Sequence, residues 1–457
     1  MKKKISAGIL RLNKQVFKLF GKHISKNQIR FLAAGHLDIL ESERSGIGFE
    51  DRTSGRQFID AFSSAGCFNV GRMNGEVIKA LDDPDISDMG NYMVLSRNKI
   101  EFAKKLAAVS PGDLNRVVLT GSGADSIECA LKLALGATGR KSIVSMVNAY
   151  HGHSGFSLSA GGKDYYKQLF LPLKPGFIYV PFGDLDAMRK AVSRDTAAII
   201  LEPVQGEGGI HVGSDDYLRG LRSLCDELGI MLIFDEIQTG FGRTGRLFYS
   251  EYSGVVPDIM TLAKSISGGV YPNGAVVYRD IDILNGFVDA HPGFHDSFGG
   301  GSEIGCIVSS KVIDYLVDNV VWENAGRMGD KFRKGLDRLM EKNPKIIREI
   351  RGKGLMLGVE YLHEFMGVLM ADNLAKEGVF AAYSGNAPQV MRFMIPITAV
   401  ERDIDSVLLK IEHAVKGMRF YLALMLPLAR VMIFRNILNN VNVLIAVNNF
   451  LRKLHLA

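Results

Sequence analysis

Short apolar runs alternate with segments of helical periodicity through the middle of the chain. Four runs pass from aliphatic residues directly into polar or glycine-rich ones: "RVVLTGSG" (116–123), "SIVSMVNAYHG" (142–152), "AAIILEPVQGEGG" (197–209) and "IMLIFDEIQTGFG" (230–242). This alternation is typical of β-α units that build a mostly parallel sheet with helices on both faces. Because ligands bind beyond the carboxyl ends of the strands in such sheets, we expect the polar ends of the runs to meet in one crevice.

The pattern changes at about residue 310. It predicts an amphipathic helix over 309–342, a short strand in "GLMLGVEYL" (354–362) and further alternation up to about residue 416. We therefore predict an α/β fold, with a large domain built on a mostly parallel mixed sheet and a smaller α+β domain. The predicted division has four parts. Residues 1–75 are an N-terminal segment that joins the small domain, and residues 76–309 form the large domain. Residues 310–416 form the C-terminal small domain, and residues 417–457 are a basic apolar tail.

The composition is that of a globular enzyme with a large core. The chain has 457 residues, of which 47% are hydrophobic and 23% charged, enough for two domains. Its cysteines include no C-x-x-C pair and stand far apart, at Cys67, Cys129, Cys225 and Cys306. This spacing argues against a disulfide framework and a structural zinc site, and it favours a reducing compartment. We expect a cytoplasmic protein.

The net charge of +6 is concentrated at the two ends. No acidic residue precedes Asp38, and none follows Glu412. We predict a first helix with an apolar face and a basic face, which is the pattern of an interfacial helix. The apolar face contains Ile5, Ile9, Leu12, Val16, Leu19 and Phe20, and the basic face contains Arg11, Lys14, Lys18 and Lys22. Arg11 and Lys14 interrupt any signal-peptide core. Two interpretations remain open for the ends: peripheral membrane contact, or packing onto the enzyme itself.

The first candidate chemical motif is "LTGSGADSIECALKLA" (119–134). A strand ends, two glycines allow a tight turn, and a helix is predicted to begin at Asp125 or Ser126. The free N–H groups and the dipole of such a helix N-terminus suit a phosphate. The motif is neither a Walker loop, because no Gly-Lys-Ser/Thr follows, nor a G-x-G-x-x-G fingerprint, because Ser126 stands at the third glycine position. A plain capped turn is the alternative.

Two further residues carry charge at the ends of apolar runs. Asp235 closes "MLIFD", where a carboxylate needs a cationic or hydrogen-bonding partner: either a protonated ring nitrogen or a structural partner such as Arg243 or Arg246. Lys264 follows the apolar run "DIMTLA". Its amine either is desolvated and condenses with an aldehyde, or extends to solvent. A phosphate site, a ring-nitrogen partner and a condensing lysine together predict pyridoxal 5'-phosphate as the cofactor.

The chain from about 45 to 415 resembles the class III pyridoxal-phosphate aminotransferases, and is most similar to their putrescine and ornithine branch. The resemblance rests on motifs in the family's order and spacing: "SGADSIECALKLA", "NAYHG", "EPVQGEGG", "DEIQTGFGRTG" and "LAKSISGG". It implies the fold of type I pyridoxal-phosphate enzymes. It also implies a homodimer with the active site at the subunit interface.

The resemblance implies a role for each matching residue. Lys264 binds the cofactor covalently as a Schiff base, Asp235 pairs with the pyridine nitrogen, Gln238 lies near the 3-hydroxyl and Tyr150 stacks on the ring. The phosphate is held by Gly123 and Ala124, with Ser122 nearby. Ser297 matches a threonine that reaches the phosphate from the neighbouring subunit.

The implied reaction is ping-pong transfer from a primary amine or ω-amino acid to an oxo acid such as 2-oxoglutarate or pyruvate. Arg392 matches an arginine that clamps a substrate carboxylate, and Glu202 or Glu207 is placed to pair with it when an uncharged end enters. The chain departs from the family where a histidine is replaced by Arg72 and a proline by Gly75. Another reaction of the same cofactor (an aminomutase or racemase) and a non-catalytic membrane-associated homologue are the alternatives.

Two other classes of function have little support in the sequence. His151 and His153 have the spacing of a ligand pair, but no third ligand is suitably spaced, so we expect no metal site there. Basic and aromatic residues are not interleaved anywhere, so we expect no nucleic-acid partner. Small-molecule amines and oxo acids are the expected partners.

Overall fold

A computed structural model describes residues 7–34, 37–84 and 95–429, with side chains described between Gln15 and Arg419 apart from those gaps, Phe31 and Ala34. Most of the predicted apolar arc of the first helix therefore lies outside the described side chains. The tail beyond Ala429 lies outside the described residues altogether.

The described strands fall into sheets of four, seven, four and two strands. In chain order they are β1 (Glu41–Ser45), β2 (Gly48–Asp51), β3 (Arg56–Asp60), β4 (Leu114–Thr120), β5 (Ser142–Met146), β6 (Phe177–Val180), β7 (Thr196–Leu201), β8 (Val204–Gln205), β9 (His211–Val212), β10 (Met231–Asp235), β11 (Ile259–Leu262), β12 (Gly274–Arg279), β13 (Ile347–Lys353), β14 (Met356–Tyr361), β15 (Val379–Phe380), β16 (Ala382–Tyr383) and β17 (Val390–Phe393).

Helices separate most of these strands. They are α1 (Ala7–His23), α2 (Lys26–Ala34), α3 (Ser63–Gly66), α4 (Gly75–Ile78), α5 (Arg97–Val109), α6 (Gly123–Thr138), α7 (Gly155–Ala160), α8 (Asp164–Lys167), α9 (Leu185–Ala191), α10 (Asp215–Leu228), α11 (Ser250–Ser253), α12 (Asp282–Ala290), α13 (Glu303–Asn319), α14 (Val321–Lys342), α15 (Glu364–Lys376) and α16 (Glu401–Ala429). Short 3₁₀ turns cover Lys79–Asp82, Gln168–Phe170 and Lys264–Ser267.

The central sheet is mixed and mostly parallel, as the sequence predicts. Its seven strands run in the order β4-β12-β11-β10-β7-β5-β6. All neighbours from β11 to β6 are parallel, and β12 is antiparallel to both β11 and β4. Every residue of β7 and β10 is buried, because helices cover both faces of the sheet. All four apolar runs of the sequence belong to this sheet.

A second sheet joins distant parts of the chain. β15 pairs in parallel with β3, so that residues 379–380 extend a sheet built from residues 41–60. A third sheet, in the order β13-β14-β17-β16, carries Arg392 on β17. These pairings bring the N-terminal strands next to the C-terminal part of the chain. The exact domain boundaries stay a prediction.

Two helix predictions need correction. The helix predicted over 309–342 is two helices, α13 and α14, because Val320 between them takes a left-handed conformation with φ of 45°. A β-branched residue rarely adopts that conformation, so hydrophobic periodicity gives no warning of the break. The helix of the glycine motif begins at Gly123, two residues before the first predicted position, because the Ser122 hydroxyl accepts the N–H of Asp125 and caps it.

Candidate active site

A cavity of about 490 Å³ lies beyond the carboxyl ends of the parallel strands. It is the crevice that the polar ends of the apolar runs predict. Most of the candidate residues line it: Ser122, Gly123, Ala124, Tyr150, Glu202, Glu207, Asp235, Gln238 and Lys264. Ser297 and Arg392 are not in its wall, and their contacts are described below.

Asp235 is the last residue of β10 and is buried. Its Oδ2 lies 2.7 Å from Nδ1 of His151, while its Oδ1 accepts the Ile237 N–H at 3.1 Å and the Thr261 hydroxyl at 3.3 Å. Neither Arg243 nor Arg246, the structural partners considered from the sequence, contacts it among the described ion pairs. Burial lowers the pKa of His151, but the hydrogen bond and charge of Asp235 outweigh burial, so the pKa of His151 is raised overall. His151 is therefore the hydrogen-bonding partner of the carboxylate, and Asp235 favours its protonated form.

Lys264 stands where β11 has ended and a 3₁₀ turn begins. It adopts a positive φ of 48°, so the chain turns sharply at the lysine. β11 runs parallel to β10, with Thr261 opposite Asp235. Lys264 therefore follows its strand at the same carboxyl-terminal edge of the sheet where Asp235 lies. Within the described part of the chain, no carboxylate lies within ion-pair distance of Lys264. Its amine lines the cavity and can face a ligand.

The phosphate end of the cavity is the N-terminus of α6. The N–H groups of Asp125 and Ser126 are bonded to Ser122, whereas no described acceptor is paired with those of Gly123 and Ala124. Gly152 packs against this turn and has a φ of +127°. A Cβ at position 152 would lie only 2.8 Å from the Cβ of Ala124. The backbone is thus packed closely around a pair of free N–H donors, which is the arrangement an anion requires.

Ser297 contacts this turn from within the same chain. Its hydroxyl donates to Oδ2 of Asp125 at 2.5 Å and accepts the Gly121 N–H at 3.1 Å, while Nε2 of His295 lies 3.0 Å from the other Asp125 oxygen. Burial raises the pKa of Asp125, but the hydrogen bonds from His295, Ser297 and Gly121 lower it overall, to about 2. The Asp125 carboxylate therefore holds the 295–297 segment against the phosphate turn.

Gln238 lines the cavity and has an unsatisfied amide oxygen. Its Nε2 donates to the carbonyl of Ala65 at 3.0 Å, but its Oε1 is buried without a hydrogen-bond partner. Gly206 packs so closely that a Cβ there would collide with that oxygen. A buried amide oxygen without a donor is costly, so this site is built for a ligand that brings one.

Glu207 and Arg392 form an ion pair at the substrate side of the cavity. Glu207 Oε1 lies 2.6 Å from Arg392 Nη1, and the other Glu207 oxygen accepts the Gly385 N–H at 2.8 Å. Arg392 is buried, with its guanidinium carbon 5.4 Å from the centre of the Phe62 ring. The sequence offered two acids as partners for this arginine, and the structure pairs it with Glu207.

Glu202 lines the cavity but has other contacts. Its two oxygens accept the N–H groups of Tyr150 at 3.0 Å and Gly206 at 2.9 Å. Burial raises the pKa of Glu202 to about 7. Its carboxyl therefore connects the Tyr150 and Gly206 segments of the wall.

Sequence reasoning missed several residues of the wall. His151 was given only a subsidiary role, although its position directly after Tyr150, beyond the end of a buried strand, was a usable signal. Cys67 and Phe68 line the cavity from the 62–68 segment, and Tyr271 lines it from the loop after Lys264. No periodicity marks these residues, because they lie in irregular segments.

The wall fits pyridoxal phosphate on three independent counts. The orphaned Oε1 of Gln238 can accept from a ring hydroxyl, the Gly123–Ala124 turn offers donors to a phosphate, and Asp235 with Lys264 supplies an acid and an amine at the ends of adjacent strands. Fold and cavity together define a type I pyridoxal-phosphate enzyme.

Known proteins identify the family. The sequence profile described as Aminotransferase class-III matches residues 33–415. An uncharacterized aminotransferase from Archaeoglobus fulgidus is 37% identical over 403 residues, which cover 88% of this chain and 94% of the relative. The chain therefore belongs to the class III aminotransferase family.

Solved structures agree with this assignment. A thermostable (S)-enantioselective omega-transaminase from Thermomicrobium roseum is 29% identical with a TM-score of 0.77, covering 83% of this chain and 92% of the other. An ornithine aminotransferase from Toxoplasma gondii is 26% identical with a TM-score of 0.82, covering 92% and 97%. The protein is an aminotransferase that uses pyridoxal phosphate and acts on amine and oxo-acid substrates.

The alternatives gain no support from these relatives. None of them is an aminomutase, a racemase or a non-catalytic membrane-associated homologue. Within the described residues, no helix has both the length and the apolar composition that a membrane crossing requires. In the same residues, no three histidine, cysteine or acidic side chains are grouped as metal ligands.

Proposed function

We propose that the enzyme takes the amino group from a primary amine or ω-amino acid and passes it to an oxo acid such as 2-oxoglutarate or pyruvate, in a ping-pong cycle. The Glu207–Arg392 pair is the observation that carries this proposal. A buried arginine suits the carboxylate of an oxo acid, and Glu207 neutralises it when a donor without a carboxylate at that position occupies the site.

The cofactor end of the cavity has its roles divided among four groups. When bound, pyridoxal phosphate supplies an aldehyde that accepts amines and a ring that withdraws electrons. Asp235 would pair with the ring nitrogen, and the hydrogen bond to His151 fixes the orientation of that carboxylate. Gln238 Oε1 would accept from the ring hydroxyl, and the free N–H groups of Gly123 and Ala124, with Ser122 nearby, would bind the phosphate. Tyr150 would cover one face of the ring.

Lys264 has two tasks in turn. Its amine would hold the aldehyde of the cofactor in the resting enzyme. Once released, the amine of Lys264 would carry one proton to or from the reacting carbon of the substrate. Because no described carboxylate pairs with it, Lys264 stays available for both tasks.

The test of this function is a donor screen on the purified holoenzyme. Each candidate amine is mixed with the enzyme and the cofactor spectrum is followed, after which an oxo acid is added and the amino acid formed is counted. One amino acid per donor consumed supports transfer. A product that needs no oxo acid would mean mutase or racemase chemistry instead.

Lys264→Ala tests the assignment of the lysine. The variant should fold, and it should lose both the visible absorption band of the lysine-bound cofactor and turnover. Lys141→Ala, which alters an exposed lysine, is the matched control and should retain both. Normal absorbance and turnover in Lys264→Ala would show that another amine holds the cofactor.

We also propose a homodimer with the active site at the subunit interface. The family resemblance supports it, and so does the exposed Phe298 beside Ser297. Ser297 is hydrogen bonded to Asp125 and Gly121 of its own chain, so its proposed contact with the phosphate of the neighbouring subunit rests on the resemblance. Peripheral membrane contact through the basic ends of a cytoplasmic enzyme is a further proposal, supported by sequence pattern alone.

A further inference from the structure

One turn of the chain has its polar and apolar side chains in unusual places. Lys167 of α8 is only 6% exposed, whereas the residues around it are open to solvent: Tyr165 (69%), Leu169 (81%), Phe170 (62%) and Leu171 (67%). We call these four residues the apolar strip. Lysine is among the residues least often buried, and large apolar side chains rarely cluster on a surface without a partner.

The buried position of Lys167 is built by specific contacts. Its ammonium lies 3.9 Å from the centre of the Tyr179 ring and 3.6 Å from Oδ1 of Asp164. Tyr179 is fixed in turn by a hydrogen bond from its hydroxyl to the carbonyl of Ser159, at 2.5 Å. The turn is therefore anchored with its cation inward, which leaves the apolar strip outward.

The apolar strip is continuous with the active-site cavity. Tyr150 and His153 line the cavity, and their ring centres are 5.3 Å apart. Tyr166 lies 5.0 Å from His153 and 6.3 Å from Tyr150, and Tyr165 lies 5.2 Å from Tyr166. The row runs from the half-buried Tyr150 through the exposed His153 and the half-buried Tyr166 to the exposed Tyr165. Aromatic surface thus leads from the reacting end of the site to the strip.

The size of the cavity limits what it can enclose. Its volume of about 490 Å³ has to hold the cofactor as well as the substrate. A short amine fits beside the cofactor, but a long hydrocarbon chain has to leave through the mouth. The row of rings begins at that mouth.

We propose that the apolar strip binds the hydrocarbon chain of amine donors that are too long for the cavity. This rests on the proposed function and narrows it: the preferred donors are long-chain aliphatic monoamines rather than short diamines or ω-amino acids. The amino end lies at Lys264, the chain follows Tyr150, His153 and Tyr166, and its far end covers Leu169 and Phe170. A second charge on the donor would face apolar side chains there and would be disfavoured.

The experiment measures kcat/KM for 1-aminoalkanes of four to ten carbons with one oxo acid, below their micelle-forming concentrations. Full burial of a methylene is worth about fourfold, so chains that are half covered by the strip should gain about twofold per methylene. Leu169→Ser combined with Phe170→Ser should flatten this rise and leave the shortest amine unchanged. Ile283→Ser on α12 and Leu409→Ser on α16 alter exposed apolar residues elsewhere and should keep the rise.

The outcomes separate this proposal from the function on which it rests. If the wild type transfers nothing from any amine, the function fails. The wild type can transfer amino groups from short amines while its kcat/KM stays constant with chain length, and in that case only the strip proposal fails. The same holds if kcat/KM of the double variant still rises with chain length. If the double variant instead changes the oligomeric state in sedimentation, or abolishes binding to lipid vesicles, the strip belongs to another surface and the proposal is overturned. Melting curves of the variants confirm that they fold.

Discussion

At the scale of single residues, Glu207 and Arg392 should have opposite effects on acceptor use. Arg392→Ala removes the carboxylate partner and should lower oxo-acid kcat/KM by about 2–4 kcal/mol of transition-state binding, while cofactor binding persists. Glu207→Gln leaves the buried arginine without its negative partner, so it should lower the KM of the oxo acid and raise that of a donor without a carboxylate. Kinetics of the donor and acceptor half-reactions, measured separately for each variant, test both expectations.

The control for this pair is Arg392→Lys, which keeps the charge but loses the planar fork and should restore part of the acceptor activity. Unchanged acceptor kinetics in Arg392→Ala would move the carboxylate site elsewhere in the cavity.

A second residue, Glu236, should make stability depend on pH. It is fully buried beside Asp235, and burial raises its pKa to about 7, although Thr239 and the N–H groups of Tyr249 and Ser250 donate to it. The unfolded chain releases this proton near the ordinary value of 4.5, and the folded chain releases it near 7. Between those values the folded state binds more protons, so unfolding free energy should fall as pH rises, by up to about 3 kcal/mol.

Denaturant unfolding of the holoenzyme from pH 5 to pH 7.5 measures this slope. Glu236→Gln cannot ionise, so its unfolding free energy should fall less than that of the wild type between pH 5 and pH 7.5. An equal slope in that variant would assign the titration to another group, and Glu202, whose pKa is also raised to about 7, is the next to test.

The position of a site residue in the fold decides whether the sequence alone could predict it. Asp235 ends a buried strand and Lys264 follows another, so a charged residue stood out at the end of each apolar run. The link between His151 and Asp235 could not be predicted, because it joins residues 84 positions apart. Gln238 could be placed only through the family resemblance, and its orphaned oxygen is visible only in three dimensions.

At the scale of elements, the wall formed by residues 62–68 depends on Arg72. Its Nε lies 2.7 Å from Asp60, a second nitrogen pairs with Glu41, and its guanidinium carbon lies 4.2 Å from the centre of the Phe68 ring. Asp60 also accepts the N–H groups of Phe62 at 3.1 Å and Ser63 at 2.7 Å. The arginine that replaces a family histidine therefore holds strand β3, the turn after it and a cavity residue together.

Arg72→Ala leaves the buried Asp60 carboxylate unpaired and should cost about 3–5 kcal/mol of unfolding free energy. Because Phe68 loses its support, KM for the amine should rise more than kcat falls. Arg44→Ala breaks a more exposed contact to the same Glu41, so it should cost no more than about 1 kcal/mol. Equal losses in the two variants would mean that the Asp60 pair contributes little.

Elements with strong periodicity were predictable, and local exceptions were not. The strands around Asp235 and the helix after Ser122 follow from apolar runs and a capping serine. The break at Val320 and the outward apolar strip contradict the preferences of their residues, and only the surrounding contacts fix them. Sequence patterns report average preferences, so such exceptions escape them.

At the scale of the whole molecule, the basic ends are the part of the chain with the least structural explanation. α1 and α2 pack on each other, and α16 continues to Ala429, with Met418 buried. If the ends contact an anionic membrane, each cation that reaches the headgroups contributes about 1 kcal/mol. We expect the full-length protein to float with anionic liposomes at low salt.

Removal of residues 1–22 and 430–457 should abolish flotation and keep transferase activity, because these cuts spare the buried part of α16. Neutral liposomes are the control, and they should bind neither form. A full-length protein that stays unbound to anionic liposomes at low salt would leave packing on the dimer as the role of the ends.

The pairing of β10 with β11 has a consequence for how this enzyme can adapt. The acid ends β10 and the lysine follows β11, its neighbour in the buried centre of the sheet, whereas the segments that meet the substrate, 62–68, 150–171 and 383–392, are mostly loops and short elements outside it. Mutations in those segments can exchange one donor for another without moving the two groups that handle the cofactor. Directed evolution toward new amines should therefore accumulate its changes there and leave the central strands untouched.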